Sequence, residues 1–182
     1  MLARHVGEGP VALQNGTLLP KGRAIAAFSL ADHEGRPFGN SQLHGHPSLL
    51  FFGFTHCPDV CPTTLALLAQ LSRQNPIAGL RLLFVTVDPG RDDTLTLRRY
   101  VDAFSPQLVG LRGADTELDK LMQSVGAARF LRPQADGNYQ VDHSATLYLI
   151  DANGRLAAIF TPPFSLSLLD ADLRLAARGM DR

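Results

Sequence analysis

The chain lacks any excess of charge: 17 Lys and Arg balance 17 Asp and Glu, so no standing positive field exists to draw in phosphate backbones or anionic headgroups. Nucleic acid is therefore not an expected partner. It also lacks long apolar runs. The strongest, Leu49 to Phe54, has the length of a strand, far short of the roughly 18 residues needed to span a bilayer. Met1 to Pro10 show no basic stretch followed by an apolar one, so no signal peptide is visible; a fragment without its native anchor would read the same way. Internal repeats, low-complexity tracts and charge runs are absent too, and the one soft segment is the glycine-bearing N-terminus up to about Gly22. Cysteine is nearly absent. There are two, both inside one eight-residue segment.

What remains is an ordinary globular composition, 45% hydrophobic and 19% charged, in 182 residues. A single core normally serves about 100 to 200 residues, so one domain is expected. Residues 1–22 read as a loosely attached N-terminal arm, followed by one domain over 23–182, expected to be monomeric.

Phe28 to Phe38 reads as two short strands about an Asp32-His33-Glu34-Gly35 turn. Leu49 to Phe54 and Leu82 to Val87 are continuous apolar runs, the mark of strands covered on both faces. Between them Leu65, Leu68 and Leu71 predict a helix from Pro62 to about Gln74. Two more helices follow from the i, i+3, i+4, i+7 spacing of Leu97, Tyr100, Val101 and Phe104, and of Leu118, Leu121, Met122 and Val125. A short strand is expected near Val109. Ala145 to Ile150 and Leu156 to Phe160 flank an Asn153-Gly154 turn, and Leu166 to Ala176 closes the chain as a helix. Such alternation suits an α/β sandwich with its ligands at the carboxyl ends of parallel strands.

Both cysteines lie in Thr55-His56-Cys57-Pro58-Asp59-Val60-Cys61-Pro62, between a predicted buried strand and a predicted helix. On a helix this spacing brings two Cβ atoms to about 5–6 Å, which permits either a disulfide or a shared metal. Cys61, at the helix start, is expected to have a lowered thiol pKa from the helix dipole and free N–H groups. The plainer readings are a stabilising disulfide, or two buried thiols acting as small hydrophobes. Thioredoxin-like reductases separate their cysteines by two residues rather than three and set a cis-proline opposite. Here the corresponding strand is entered through Val141-Asp142-His143-Ser144-Ala145, without proline.

His143 thus becomes the candidate third ligand. Two thiolates and an imidazole satisfy trigonal Cu(I), whereas structural zinc almost always takes four protein ligands. His56, Asp59 or Asp142 are the candidates for a fourth donor. His5, His33, His44 and His46 read as solvated, and Asp88 either lines the pocket or shapes the turn before Pro89.

Three segments, FFGFTHCPDVCPTTL from Phe51, VDPGRD from Val87 and VDHSATLYLID from Val141, together resemble the Sco/SenC family of copper chaperones. The resemblance implies a thioredoxin-like fold of the peroxiredoxin-like kind with an N-terminal β-hairpin. It implies Cu(I) or Cu(II) held by Cys57, Cys61 and His143. It further implies anchoring on the periplasmic side of the inner membrane, and a part in building the dinuclear copper centre of cytochrome c oxidase subunit II, or supply of another copper acceptor. The rival reading is a thiol–disulfide oxidoreductase, or a peroxidase, using Cys57 and Cys61 as a redox pair. Asp93 and Ser124 depart from the family's usual Thr and aromatic, with loop packing rather than ligation expected to change.

Overall fold

A computed structural model describes residues 12–180 of the chain. Its centre is strand β4 (Ser48–Gly53), buried at every position. Alternate side chains of β4 serve opposite faces of the sheet. Leu49 and Phe51 pack with Leu65, Leu68 and Leu71 of helix α2 (Val60–Gln74) and with Leu169, Leu173 and Ala176 of helix α5 (Leu166–Met180). Leu50 and Phe52 pack with Leu118, Leu121, Met122 and Val125 of helix α4 (Asp115–Val125). Each of the Leu, Phe, Met and Val side chains among them contributes about 1.5–3 kcal/mol by leaving water. This double coverage is what the unbroken apolar run encodes.

Around β4, strand β5 (Arg81–Thr86) pairs in parallel, from Ser48 opposite Arg81 to Gly53 opposite Thr86. Strand β6 (Leu108–Arg112) continues the parallel set beyond helix α3 (Thr94–Asp102). On the other side β9 (Leu147–Ile150) runs antiparallel to β4, and β10 (Arg155–Phe160) antiparallel to β9. The predicted hairpin is formed by β2 (Ser29–Asp32) and β3 (Pro37–Gly39), and joins the sheet through β6. Helix α1 (Asn40–Leu43) leads from it into β4.

Two features depart from expectation. The described part of the N-terminal arm is not loose: Gly16–Ala24 forms edge strand β1, paired with β10, giving the sheet order β1-β10-β9-β4-β5-β6-β2-β3. Its register slips between Leu18 and Arg23, where Pro20 and Gly22 stand, and Gly22 has φ +56°. A proline and a bulge suit an edge strand and erase the alternation that would have announced it. Buried Asp172 of α5 then captures the strand's entry, accepting hydrogen bonds from the backbone N–H groups of Gln14 (2.8 Å) and Asn15 (2.7 Å). Residues 1–11 of the expected arm, with His5, lie outside the described residues, as do 181–182.

The second departure is a separate two-stranded ribbon, β7 (Arg129–Pro133) and β8 (Tyr139–His143), running from Arg129 opposite His143 to Pro133 opposite Tyr139. Its turn carries Asp136-Gly137, with Gly137 at φ +81°, a hairpin signal the sequence reading passed over. His143 therefore ends one strand as well as preceding another.

Candidate metal centre

The site lies where the parallel strands end. After Gly53 the chain leaves the sheet in a loop, and α2 begins at Val60, two residues earlier than predicted, so Cys61 sits inside the first helical turn. Cys61 is fully buried and Cys57 half-buried; both are free thiols. The backbone N–H of Cys57 donates to the Phe54 carbonyl at 3.2 Å, which curls the loop back over the strand end. Glycine is required at position 53. A Cβ there would lie 2.9 Å from Cys61 Sγ and 2.6 Å from Phe84 Cε2.

A buried carboxylate braces the loop from beneath. Asp92 accepts hydrogen bonds from the Thr55 N–H (3.0 Å), Thr55 Oγ1 (2.6 Å) and Thr86 Oγ1 (2.5 Å). Thr86 Oγ1 in turn accepts from the N–H of Asp88 at 3.1 Å, so the end of β5 and the cysteine loop share one polar network.

The ribbon delivers the imidazole. His143 Nε2 stands 3.6 Å from Cys61 Sγ, and its other nitrogen, Nδ1, is 3.1 Å from the Ser144 carbonyl oxygen. A carbonyl can only accept, so Nδ1 carries the ring proton and the Nε2 lone pair faces the sulfur. The rings of Phe51 and Phe54 meet the imidazole edge-on at 6.2 and 5.8 Å, fixing its plane. Burial is the main reason that the His143 pKa falls below its ordinary value, which keeps the ring neutral, the form that ligates. Ligand atoms of Cys57, Cys61 and His143 all lie within 4.8 Å of one another, and they are the one such group of three or more among the described residues.

The ribbon is held from both strands. On β7, Arg129 donates through Nη1 to the Val87 carbonyl (2.7 Å) and pairs with Asp115 and Asp119 at the start of α4. On β8, the Tyr139 hydroxyl donates to Asp88 at 2.7 Å, and Arg91 lies over the Tyr139 ring at 3.9 Å while pairing with Asp88. Asp88 thus serves the ribbon rather than the ligand group.

Several sequence readings change here. The Cys61 thiol is pushed up rather than down, first by burial, then by the Cys57 side chain and its charge, with Asp92 adding to it. A helix end contributes about 0.3–1 kcal/mol in favour of thiolate, whereas full burial shifts a pKa by up to about 3–5 units the other way. The candidate fourth donors do not join the group. His56 turns to Thr55 Oγ1 (3.1 Å) and Asp92 (3.6 Å), Asp59 accepts from Thr63 Oγ1 (3.4 Å), and Asp142 pairs with Arg132 (2.6 Å). His33 is not merely solvated: its Nδ1 accepts from the Gly110 N–H at 3.0 Å, joining the β2–β3 turn to β6, while His44 and His46 are exposed. Asp93 caps α3 by accepting from the Thr96 N–H (2.7 Å), and Ser124 bonds the Leu121 carbonyl (2.8 Å); both are outside the ligand group. The bracing roles of Asp92, Arg91, Arg129 and Tyr139 were not read from the sequence, although Asp92 and Arg91 lie within the quoted VDPGRD segment.

The chain is similar to known proteins in both sequence and fold. Residues 17–177 match the family described as SCO1/SenC. A SCO2-like protein of Rickettsia prowazekii is 36% identical over 160 residues, spanning 85% of this chain and 78% of that one. Among solved structures, Arabidopsis thaliana ScoI with copper bound superposes with a TM-score of 0.79 at 29% identity, covering 84% of this chain and 97% of that chain. Bradyrhizobium japonicum ScoI with copper bound gives 0.70 at 36%, covering 87% and 98%. The fold is thioredoxin-like, as the family resemblance implied, on the α/β alternation that the sequence pattern predicted.

Proposed function

The chain belongs to the SCO1/SenC family, and from that premise we propose that it is a copper metallochaperone, holding one ion through Cys57 Sγ, Cys61 Sγ and His143 Nε2. The observation that carries the reading is the donor set itself. Two sulfurs and one neutral imidazole nitrogen lie within 4.8 Å of one another, and the candidate fourth donors are engaged elsewhere. Three soft donors suit Cu(I), and structural zinc would ask for a fourth protein ligand.

Copper is the cargo. Its entry displaces the thiol protons of Cys57 and Cys61, so binding competes with protons and weakens in acid. His143 needs no rearrangement of its proton, because Nδ1–H is already committed to the Ser144 carbonyl. Cys57, half-buried beside fully buried Cys61, is the ligand an incoming thiolate reaches first. Transfer then proceeds by stepwise exchange, Cys57 leaving before Cys61 and His143. The proposed acceptor is the dinuclear copper centre of cytochrome c oxidase subunit II, or another protein offering thiolates. The proposed place of action is the periplasmic side of the inner membrane, with the protein anchored there. Family membership supports both proposals. No helix among the described residues is long and apolar enough to cross a membrane.

A second reading, thiol–disulfide exchange by Cys57 and Cys61, is favoured by the half-buried, free thiol of Cys57 beside a second free thiol. The two readings are linked, since oxidation to a disulfide removes two of three ligands. His143→Ala separates them. In anaerobic titration of the reduced protein with Cu(I), one equivalent binds, the variant loses most affinity, and its exchange with a small disulfide continues. Undiminished copper binding by the variant would refute the three-ligand site.

A further inference from the structure

Asp92 is fully buried, a position that carboxylates seldom occupy without a cationic partner. Among the described residues no Lys or Arg side chain pairs with this one. Arg112 reaches only its backbone carbonyl, at 2.9 Å. Thr55 and Thr86 supply the three hydrogen bonds to its oxygens, all from groups without formal charge. Among the described residues the one ionisable side chain within 4.0 Å of its carboxylate oxygens, His56 at 3.6 Å, is more than half exposed (54%), where solvent screens any charge it carries. No Lys or Arg ion pair among the described residues therefore offsets this carboxylate directly. It accepts two hydrogen bonds directly from Thr55, two residues before Cys57, so the carboxylate lies under the loop that carries that sulfur.

Charge counting shows what such a group does to a metal there. Two thiolates, a neutral imidazole and Cu(I) sum to −1, while the same ligands with Cu(II) sum to zero. A fixed negative charge nearby disfavours the first relative to the second. We propose that Asp92 tunes the oxidation-state preference of the Cys57–Cys61–His143 centre, favouring Cu(II) over Cu(I), in addition to holding the cysteine loop. This rests on the copper reading above. The one-electron couple involves no proton when both sulfurs stay coordinated, so the electron supplied by the electrode is balanced by the metal alone.

The test compares the Cu(II)/Cu(I) potential of the copper-loaded protein with that of Asp92→Asn by spectroelectrochemistry, with each affinity measured by chelator competition. Removing the charge shifts the ratio of the two affinities toward Cu(I) by about tenfold, which for a one-electron couple is a rise of about 59 mV. Thr55→Val keeps the carboxylate and cuts a hydrogen bond that holds the loop; it weakens both oxidation states together and does not raise the potential. An unchanged or lowered potential in Asp92→Asn, or equal weakening of both states, overturns the proposal. Should Asp92→Asn fail to fold, Asp92→Ser decides. It removes the charge while leaving a small polar group beside Thr55 and Thr86, so the potential rises, and a null or downward shift overturns the proposal. If the parent binds no copper, the copper reading itself fails; if it binds copper and the variants show no shift, only the role of Asp92 fails.

Discussion

Gly53, Cys61 and Phe84 compete for one small volume at the end of β4, and only the missing side chain of glycine lets the sulfur occupy it. Gly53→Ala must push back either the Phe84 ring or the sulfur, and overpacking of this kind costs about 1–3 kcal/mol; urea unfolding of the metal-free protein should show the loss, with copper affinity falling as well. His143 makes a pH prediction. Its pKa is lowered in the fold, chiefly by burial, from an ordinary value of 6.5. The unfolded chain therefore takes up a proton near pH 6.5 that the folded chain still refuses. The stability this neutral ring supports is present above 6.5 and is lost as pH falls through the folded value. His143→Gln should flatten that part of the stability–pH curve in the metal-free protein, as measured by denaturant midpoints between pH 7 and 5. At this scale the sequence was most legible: two cysteines in one loop and a distant histidine, singled out from the sequence, are the three residues whose donor atoms the fold gathers within 4.8 Å. The thiol pKa was not, because burial is a property of packing and only the helix-end effect can be read from position in the chain.

Among the elements, the β7–β8 ribbon governs the site, since it stands apart from the main sheet and carries the imidazole at its end. Arg129 ties it to the Val87 carbonyl and to α4. Arg129→Met keeps the stem and removes these bonds. It should weaken copper binding severalfold while leaving Cys57–Cys61 exchange with a small disulfide near the parent rate, a split visible by running the two assays side by side. The central strands and long helices were plain in the sequence, because double coverage and 3.6-residue periodicity leave strong patterns in β4, β5, α2, α3 and α4. The ribbon was not. Phe130 and Leu131 are 67% and 60% exposed, so its strands bury no regular face, and Asp136-Gly137 was the sole local cue.

For the molecule as a whole, one sheet with helices on both faces brings the ends of β4 and β5, the start of α2 and the ribbon to the same place, although Cys61 and His143 lie 82 residues apart. Edge strand β1 is remote from that function. Asp172, which receives the N–H groups of Gln14 and Asn15, holds its entry. Losing good acceptors for two amides costs about 1–3 kcal/mol. Asp172→Ala should therefore speed hydrogen exchange at Gln14 and Asn15 and lower the unfolding midpoint while copper affinity stays at the parent value. Nothing in the local sequence foretold this strand, because its partner, β10, and its clamp lie more than 130 residues away.

The proposed copper site is a single ion held by two sulfurs and one nitrogen. X-ray absorption of the anaerobically loaded Cu(I) protein counts those neighbours directly. Two sulfur scatterers and one imidazole, with the imidazole signal gone in His143→Ala, is the predicted result; a spectrum without imidazole, or one that His143→Ala leaves unchanged, would contradict it.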